Sequence, residues 1–392
     1  MPRYAGFIGG TQVHRSLNVN AERTINFYPE LTQPGNAKSP IVLLGTPGLR
    51  VFADAGGSPI YGLWAQDGRV FAVAGSSLVE VFADRTTTVR GVVADNGTPA
   101  TIVSNGVGGF QLMVIAGERL YCYDLRTDEL TQISGTPALS VSASPSGSDD
   151  GESDFPERVM MGDYIDGYFV VLAGEWQLYI SALNDGTTWD VADTAQVSSS
   201  SNRILALICD HKEVWLFGSR KSEVWINTGN ADFPFGPIQG VFIEFGIWAP
   251  FSVARIDNTL FWIGADERGA GKVYRMQGYN PIRISTHAVE YAFGQSSRLT
   301  EAIAFTYDEE GHSFYFVYVP DLETSWVYDV AIGLWHERAM WDATFSRWWP
   351  HLARCHCFTT WGQHLVGDRQ SGTIYQMSLD YLDDELVIDG GL

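Results

Sequence analysis

This sequence predicts an all-β fold, a β-propeller of seven blades with six as the alternative count. Three observations carry the expectation. The first is composition. Of 392 residues, 41 are Gly, 17 Tyr, 21 Phe and 13 Trp. Rings fit a pleated, half-buried surface and glycines accept sharp reversals, so the mixture favours short strands joined by tight turns. The second is a recurring apolar strand. It begins at Arg69, Phe110, Tyr168, Glu213, Thr259, Ser313 and Gln363, at intervals of 41, 58, 45, 46, 54 and 50 residues. Propeller blades repeat at about 40–50 residues. The third is its company. Another strand follows each of these within a few residues (LVEVFAD, RLYCYDL, WQLYISA, SEVWINT, KVYRMQG, SWVYDVA, TIYQMSL) and another precedes it. Each unit can therefore supply three or four antiparallel strands. Inner strands read as unbroken apolar runs because both their faces are covered, whereas outer strands such as Ser222–Asn227 alternate. A β-sandwich pair or a barrel is the competing arrangement of the same strands. No Gly-His signature of a WD40 array recurs.

Taken in chain order, residues 1–50 are expected to form an irregular N-terminal arm, with RTINFYPELTQPGN followed by a TPGLR turn. Residues 51–380 form the propeller. Within it, 135–157 (SGTPALSVSASPSGSDDGESDFPE) is too long and polar for a plain turn, and is expected to be a flexible insertion. Its acids Asp149, Asp150, Glu152 and Asp154 are expected to make an acidic loop facing a channel. Residues 381–392 read as the start of a linker or of a further C-terminal domain.

Charge and cysteine content exclude several function classes. With 25 basic and 46 acidic side chains the formal charge is −21. Arg and Lys are scattered, so tight binding to DNA phosphates is excluded. No apolar run approaches the ~18 residues of a membrane span, and no secretory signal opens the chain. Four cysteines without a CxxC are too few for a disulfide framework at this length.

The motifs that carry chemistry elsewhere read as structural here. Ser181 to Asp190 (SALNDGTTWD) is similar to the Asp-box of sialidase propellers, although Asp185 directly precedes Gly186. Its expected role is a rigid turn, with Asp and Thr holding turn amides and Trp189 packed between strands. His351, Cys355, His356 and Cys357 lie close together, with His364 beyond. Cys355 and Cys357 would share one strand face and His356 the other, which is not the paired geometry of a zinc site. The acidic runs Asp308–Glu310 and Asp383–Glu385 sit at strand ends, where solvation and turn geometry place acids. Asp266–Gly271 lies between two strands and reads as a turn instead of a phosphate cradle. Trp326, Trp335, Trp341, Trp348, Trp349 and Trp361 crowd the last third. Most are expected in the core, and the segment from Trp335 to Pro350 is the candidate interface, with Arg338, Trp341, Arg347, Trp348 and Trp349 as its contact patch.

The order INFYPEL (Ile25–Leu31), LLGTPGLR (Leu43–Arg50) and then repeated hairpins resembles the packaged-DNA stabilisation proteins, the tail hub or nozzle subunits, of short-tailed phages. Phe217-Gly218-Ser219, Glu223, Trp225, Thr228-Gly229, Glu244–Ile247, Trp335 and GDRQSGTIYQM (Gly367–Met377) extend the resemblance over about residues 20–380. The resemblance implies a structural virion protein and no enzyme, without catalytic residues, cofactor or metal. Copies would form a homo-oligomer, a hexameric ring, in the virion tail after synthesis in the host cytoplasm. A portal adaptor protein would lie above it, and a tail needle or plug, or a fibre or tailspike, below. DNA would pass through the channel without specific binding, and no membrane is involved. The family usually carries a further C-terminal β domain. A carbohydrate-binding or glycan-hydrolysing propeller is the alternative function, suggested by the Trp content and the Asp-box-like stretch.

Overall fold

In the computed structural model, residues 9–13, 21–31, 41–133, 156, 158–197, 202–231, 233–241, 243–266 and 269–385 are described. Seven antiparallel sheets stand in a ring as the blades of a propeller. Blade one is built from Ile60–Gln66, Arg69–Ala74, Ser77–Val81 and Thr87–Val92, and blade two from Thr101–Ser104, Gln111–Ala116, Arg119–Asp124 and Glu129–Ile133. Blades three, four and five follow over residues 159–196, 204–237 and 246–283. Blade six spans residues 303–350. Blade seven takes Ala353–Phe358, His364–Asp368 and Thr373–Ser378 from the end of the chain and Gly48–Asp54 from its beginning.

The sequence explains the strand order locally. The first and second strands of blades one, three, four, five and six are joined by two-residue turns: Asp67-Gly68, Asp166-Gly167, His211-Lys212, Asp257-Asn258 and Glu310-Gly311. Both residues of each have positive φ. This is the reversal whose twist matches paired strands, and it selects Asp, Asn and Gly. The second strands are apolar throughout because each is covered on both faces. In blade one, Phe71 and Val73 pack towards blade two, against Leu112, Val114 and Tyr123. Val70, Ala72 and Ala74 pack towards blade seven, against Leu365 and Ile374. Each fully buried large side chain contributes about 1.5–3 kcal/mol, so the blade-to-blade seams are where the fold is held.

Three expectations are corrected. The TPGLR segment is not a turn. Gly48–Asp54 is the outermost strand of blade seven, paired antiparallel with Thr373–Ser378. The arm therefore ends at Pro47, and a boundary at residue 50 cuts through this strand. Residues beyond 380 do not leave at once as a linker: Leu49 and Asp384 form a parallel bridge, with Glu385 N–H donating to Leu49 O at 2.9 Å. The arm also has regular structure of its own, a hairpin of Phe27–Leu31 with Ile41–Gly45. A short helix, His287–Phe293, capped by Thr286, joins blades five and six.

Candidate interface and channel

Two features position side chains for contact: the flank of blade six and the central channel. The flank begins with the fourth strand of blade six, Leu334–Asp342, which runs on past its blade partner into a hairpin with Arg347–Pro350. The hairpin is fixed by Asp342. Its carboxylate accepts from the Thr344 and Phe345 amides at 2.9 and 3.1 Å and from Trp349 Nε1 at 2.9 Å. These donors hold the Asp342 carboxyl below its usual range. Trp341 and Trp348 face one another across the hairpin with ring centroids 4.9 Å apart. Arg347 lies over Trp349 at 4.1 Å and over Phe345 at 5.2 Å. The result is a stiff aromatic blade edge with Trp341 50% and Phe345 68% exposed.

The N-terminal arm completes the flank. Residues 24–26 add a parallel partner to the outer edge of the same strand. Asn26 N–H donates to Glu337 O and Glu337 N–H to Thr24 O, both at 2.8 Å. Arg23 grips the buried Glu337 carboxylate at 3.0 and 2.5 Å. Tyr28 then inserts against His312 and Phe314. The alternation of FYPEL puts Tyr28 inward and leaves Phe27 48% exposed and Leu31 exposed beside Leu43 and Leu44. Between arm and hairpin opens a cleft of about 570 Å³, bordered by Phe27, Trp341, Trp348 and Leu382.

Trp341, Arg347, Trp348 and Trp349 are thus brought together as expected. Arg338 is not with them. It is 1% exposed, reaching Pro47 O and the Met377 sulfur. It ties the exit of the arm to blade seven and is corrected from a contact residue to a core residue. Strand alternation alone does not reveal this, because the arm covers both sides of the strand at that point. The apolar residues of the arm were missed, although the apolar positions of INFYPEL and the unbroken run IVLLG signal them. Asp149, Asp150, Glu152 and Asp154 lie outside the described residues.

The central channel is bordered by the first strands, Leu63, Val103, Leu207, Phe305 and His356 among their residues, together with Phe251. Its free volume is about 290 Å³. No duplex passes through one propeller. Arg255, one of two arginines bordering this space, is neutralised: it contacts the Asp163 carboxylate and donates from Nε to Cys209 O at 2.7 Å. One mouth of the channel carries the two-residue turns, with Asp67, Asp166, Asp257 and Glu310 exposed.

The other motifs are spent on structure. Asp185 accepts from the Thr187 amide (2.9 Å) and the hydroxyls of Thr187 and Thr188 (2.6 and 2.8 Å), and Trp189 Nε1 donates to Gly186 O at 2.8 Å. Cys355 and Cys357 both join the seam with blade one. His356 points the other way, 2.9 Å from His364. Burial pushes the Cys355 thiol up to about 12. Among the described residues, no three His, Cys, Asp or Glu side chains converge as metal ligands.

The described residues define a seven-bladed propeller with a narrow channel and an apolar flank, and comparison with known proteins narrows this class. Residues 7–381 match the model of the phage-stabilisation family described as bacteriophage P22 Gp10, beta-propeller, and the chain belongs to that family. A search of curated proteins finds no match. Among solved structures, a streptogramin B lyase is similar at TM-score 0.53 and 8% identity, over 85% of this chain and 98% of that one. The extracellular domain of the hybrid two-component system BT4673 from B. thetaiotaomicron is similar at TM-score 0.53 and 8% identity, over 85% and 40%. The N-terminal domain of Nup159 is similar at TM-score 0.50 and 10% identity, over 91% and 99%. At such identities these likenesses show the propeller fold alone.

Proposed function

We propose that this chain is a tail hub or nozzle subunit that extends the DNA channel below the portal and its adaptor and helps to retain packaged DNA. The observation that carries the reading is the apolar flank of Phe27, Trp341, Phe345 and Trp348 on a member of a phage DNA-stabilising family. Because one propeller's channel is far too narrow for a duplex, a DNA conduit has to be enclosed between subunits. A ring of identical chains does this with heterologous contacts that close by rotation, and hexameric closure is the form proposed. Exposed aromatic and arginine side chains on a rigid hairpin suit the centre of such a contact. Acidic loops facing the conduit repel phosphates, so DNA slides and does not adhere. The adaptor would occupy the ring's upper side and a needle, plug, fibre or tailspike its lower side. The subunit performs no chemistry in this role.

The test is tail assembly in particles made with Trp341→Ala combined with Arg347→Ala. Both groups are solvent-facing, so folding stability should change by less than about 1 kcal/mol while incorporation into particles falls at least about tenfold. Normal incorporation would remove the flank from the ring contact.

A further inference from the structure

The second mouth of the channel, opposite the acidic turns, holds an arginine without a counter-ion. Arg354 stands at the start of the first strand of blade seven. Its Nη2 donates to Gly97 O at 2.9 Å, and its guanidinium lies 4.6 Å from the Tyr61 ring centroid. Its Nε is sealed from solvent and has no hydrogen-bond partner. Among the described residues no carboxylate lies within ion-pair distance of it, whereas Arg158, Arg203 and Arg298, at the same end of their first strands, are each paired. Asp95, the acid nearest in influence, is already taken: it accepts from the Gly97 amide at 2.9 Å and from the Tyr61 hydroxyl. Burial opposes the Arg354 charge and pulls its pKa down. A cation drawn out of water without an anion is costly, and an incoming anion relieves that cost.

The space beside Arg354 is suited to a ligand. The central cavity of about 290 Å³ and an outer one of about 300 Å³ share Pro99, Phe251, Ile303 and Arg354 as walls, so they form one funnel. Apart from Arg354 the shared walls are apolar, and Thr300 stands at the rim, while the Thr98 hydroxyl there already donates to Asn96 Oδ1 at 2.6 Å. Glu301, the carboxylate on that rim, is held by Arg298 at 2.5 Å. Anions entering from the other side would meet Asp67, Asp166, Asp257 and Glu310 against the single cation Lys212 of the described turns, so the Arg354 side is the more accessible one for a negative group.

We propose that this funnel binds a small monocarboxylate with an apolar body, the carboxylate on Arg354 and the body against Phe251 and Ile303. No catalysis is implied. The inference is independent of the proposed virion role.

The experiment is calorimetric titration of the full chain with 3-phenylpropanoate and with its neutral analogue 3-phenylpropanamide. The acid is expected to bind at least about tenfold more tightly than the amide, with Arg354→Gln abolishing the difference. Equal affinities, or no acid binding up to about 10 mM, would overturn the proposal. Should Arg354→Gln not fold, the acid–amide comparison on the unaltered chain decides alone. Crystals soaked in 3-(4-iodophenyl)propanoate then locate the ligand. Iodine density in the funnel beside Arg354 is the expected result, and iodine only at other positions would contradict it.

Discussion

Buried histidines make the seam between blades six and seven sensitive to acid. His336 is fully buried, packs near Tyr28 and Phe314, and has its pKa pulled down to about 3 by burial and by the neighbouring Arg338. His356 is likewise lowered to about 3 by burial and by His364, and His351 is driven down in the same direction. In the unfolded chain each would titrate near 6.5. Between that value and about 3 the unfolded state binds the proton and the folded state does not, so stability is full above pH 6.5 and falls as the pH drops. One such histidine contributes about 1.4 kcal/mol per pH unit in that window. Buried Asp329 and Asp368 and half-buried Asp384 have raised pKa values and act in the opposite sense, so the cleanest test is a comparison. Urea unfolding of His336→Phe and of the unaltered chain between pH 7.5 and 4.5 should show the variant's slope shallower by about one proton. Identical slopes would mean that His336 is protonated in the folded state. Residue identity was a mixed guide at this scale. The turn-holding role of Asp185 and Trp189 is legible because it is local. The burial of Arg338 is not, because the groups that cover it, Pro47 and Met377, lie far away in sequence.

The elements divide by how local their partners are. The second and third strands of every blade are legible as apolar runs, since packing on both faces demands it. Fourth strands are harder: Thr87–Val92 and Glu129–Ile133 are edge strands with largely exposed, polar sequences. Harder still is the closing strand, whose partner lies more than 300 residues away and leaves no periodic trace. That strand should dominate folding. Ala55 N–H donates to Gly372 O at 2.8 Å, and a Cβ at Gly372 would meet Gly56 O at 1.4 Å. Gly372→Ala must therefore push the two segments apart, and a loss of at least about 3 kcal/mol is expected from denaturant unfolding. A chain beginning at Gly48 should retain the closed propeller, whereas one beginning at Gly56 should fail to fold cooperatively, leaving blade seven with three strands. Cooperative unfolding of the shorter chain, read by circular dichroism, would contradict the closure described here.

For the molecule as a whole, charge and shape act together. A formal charge of −21 and a channel too narrow for a duplex give DNA neither a broad basic surface nor a route through one propeller. In about 0.15 M salt the isolated chain should bind duplex DNA no more tightly than about 10⁻⁴ M, the weak end of non-specific binding. Fluorescence anisotropy checks this, and micromolar affinity would be inconsistent with a passive conduit wall. What the chain offers instead is a rigid ring of blades with one apolar flank, the form expected of a part that is assembled into a larger body. The repeat and the family were legible in the sequence. The flank was legible in part, because its hairpin lies in one stretch while its other half comes from the arm. The most direct test of the central claim is immunogold electron microscopy of intact phage particles with an antibody against this chain. Label confined to the tail vertex is the predicted result; particles without label would contradict a structural role in the tail.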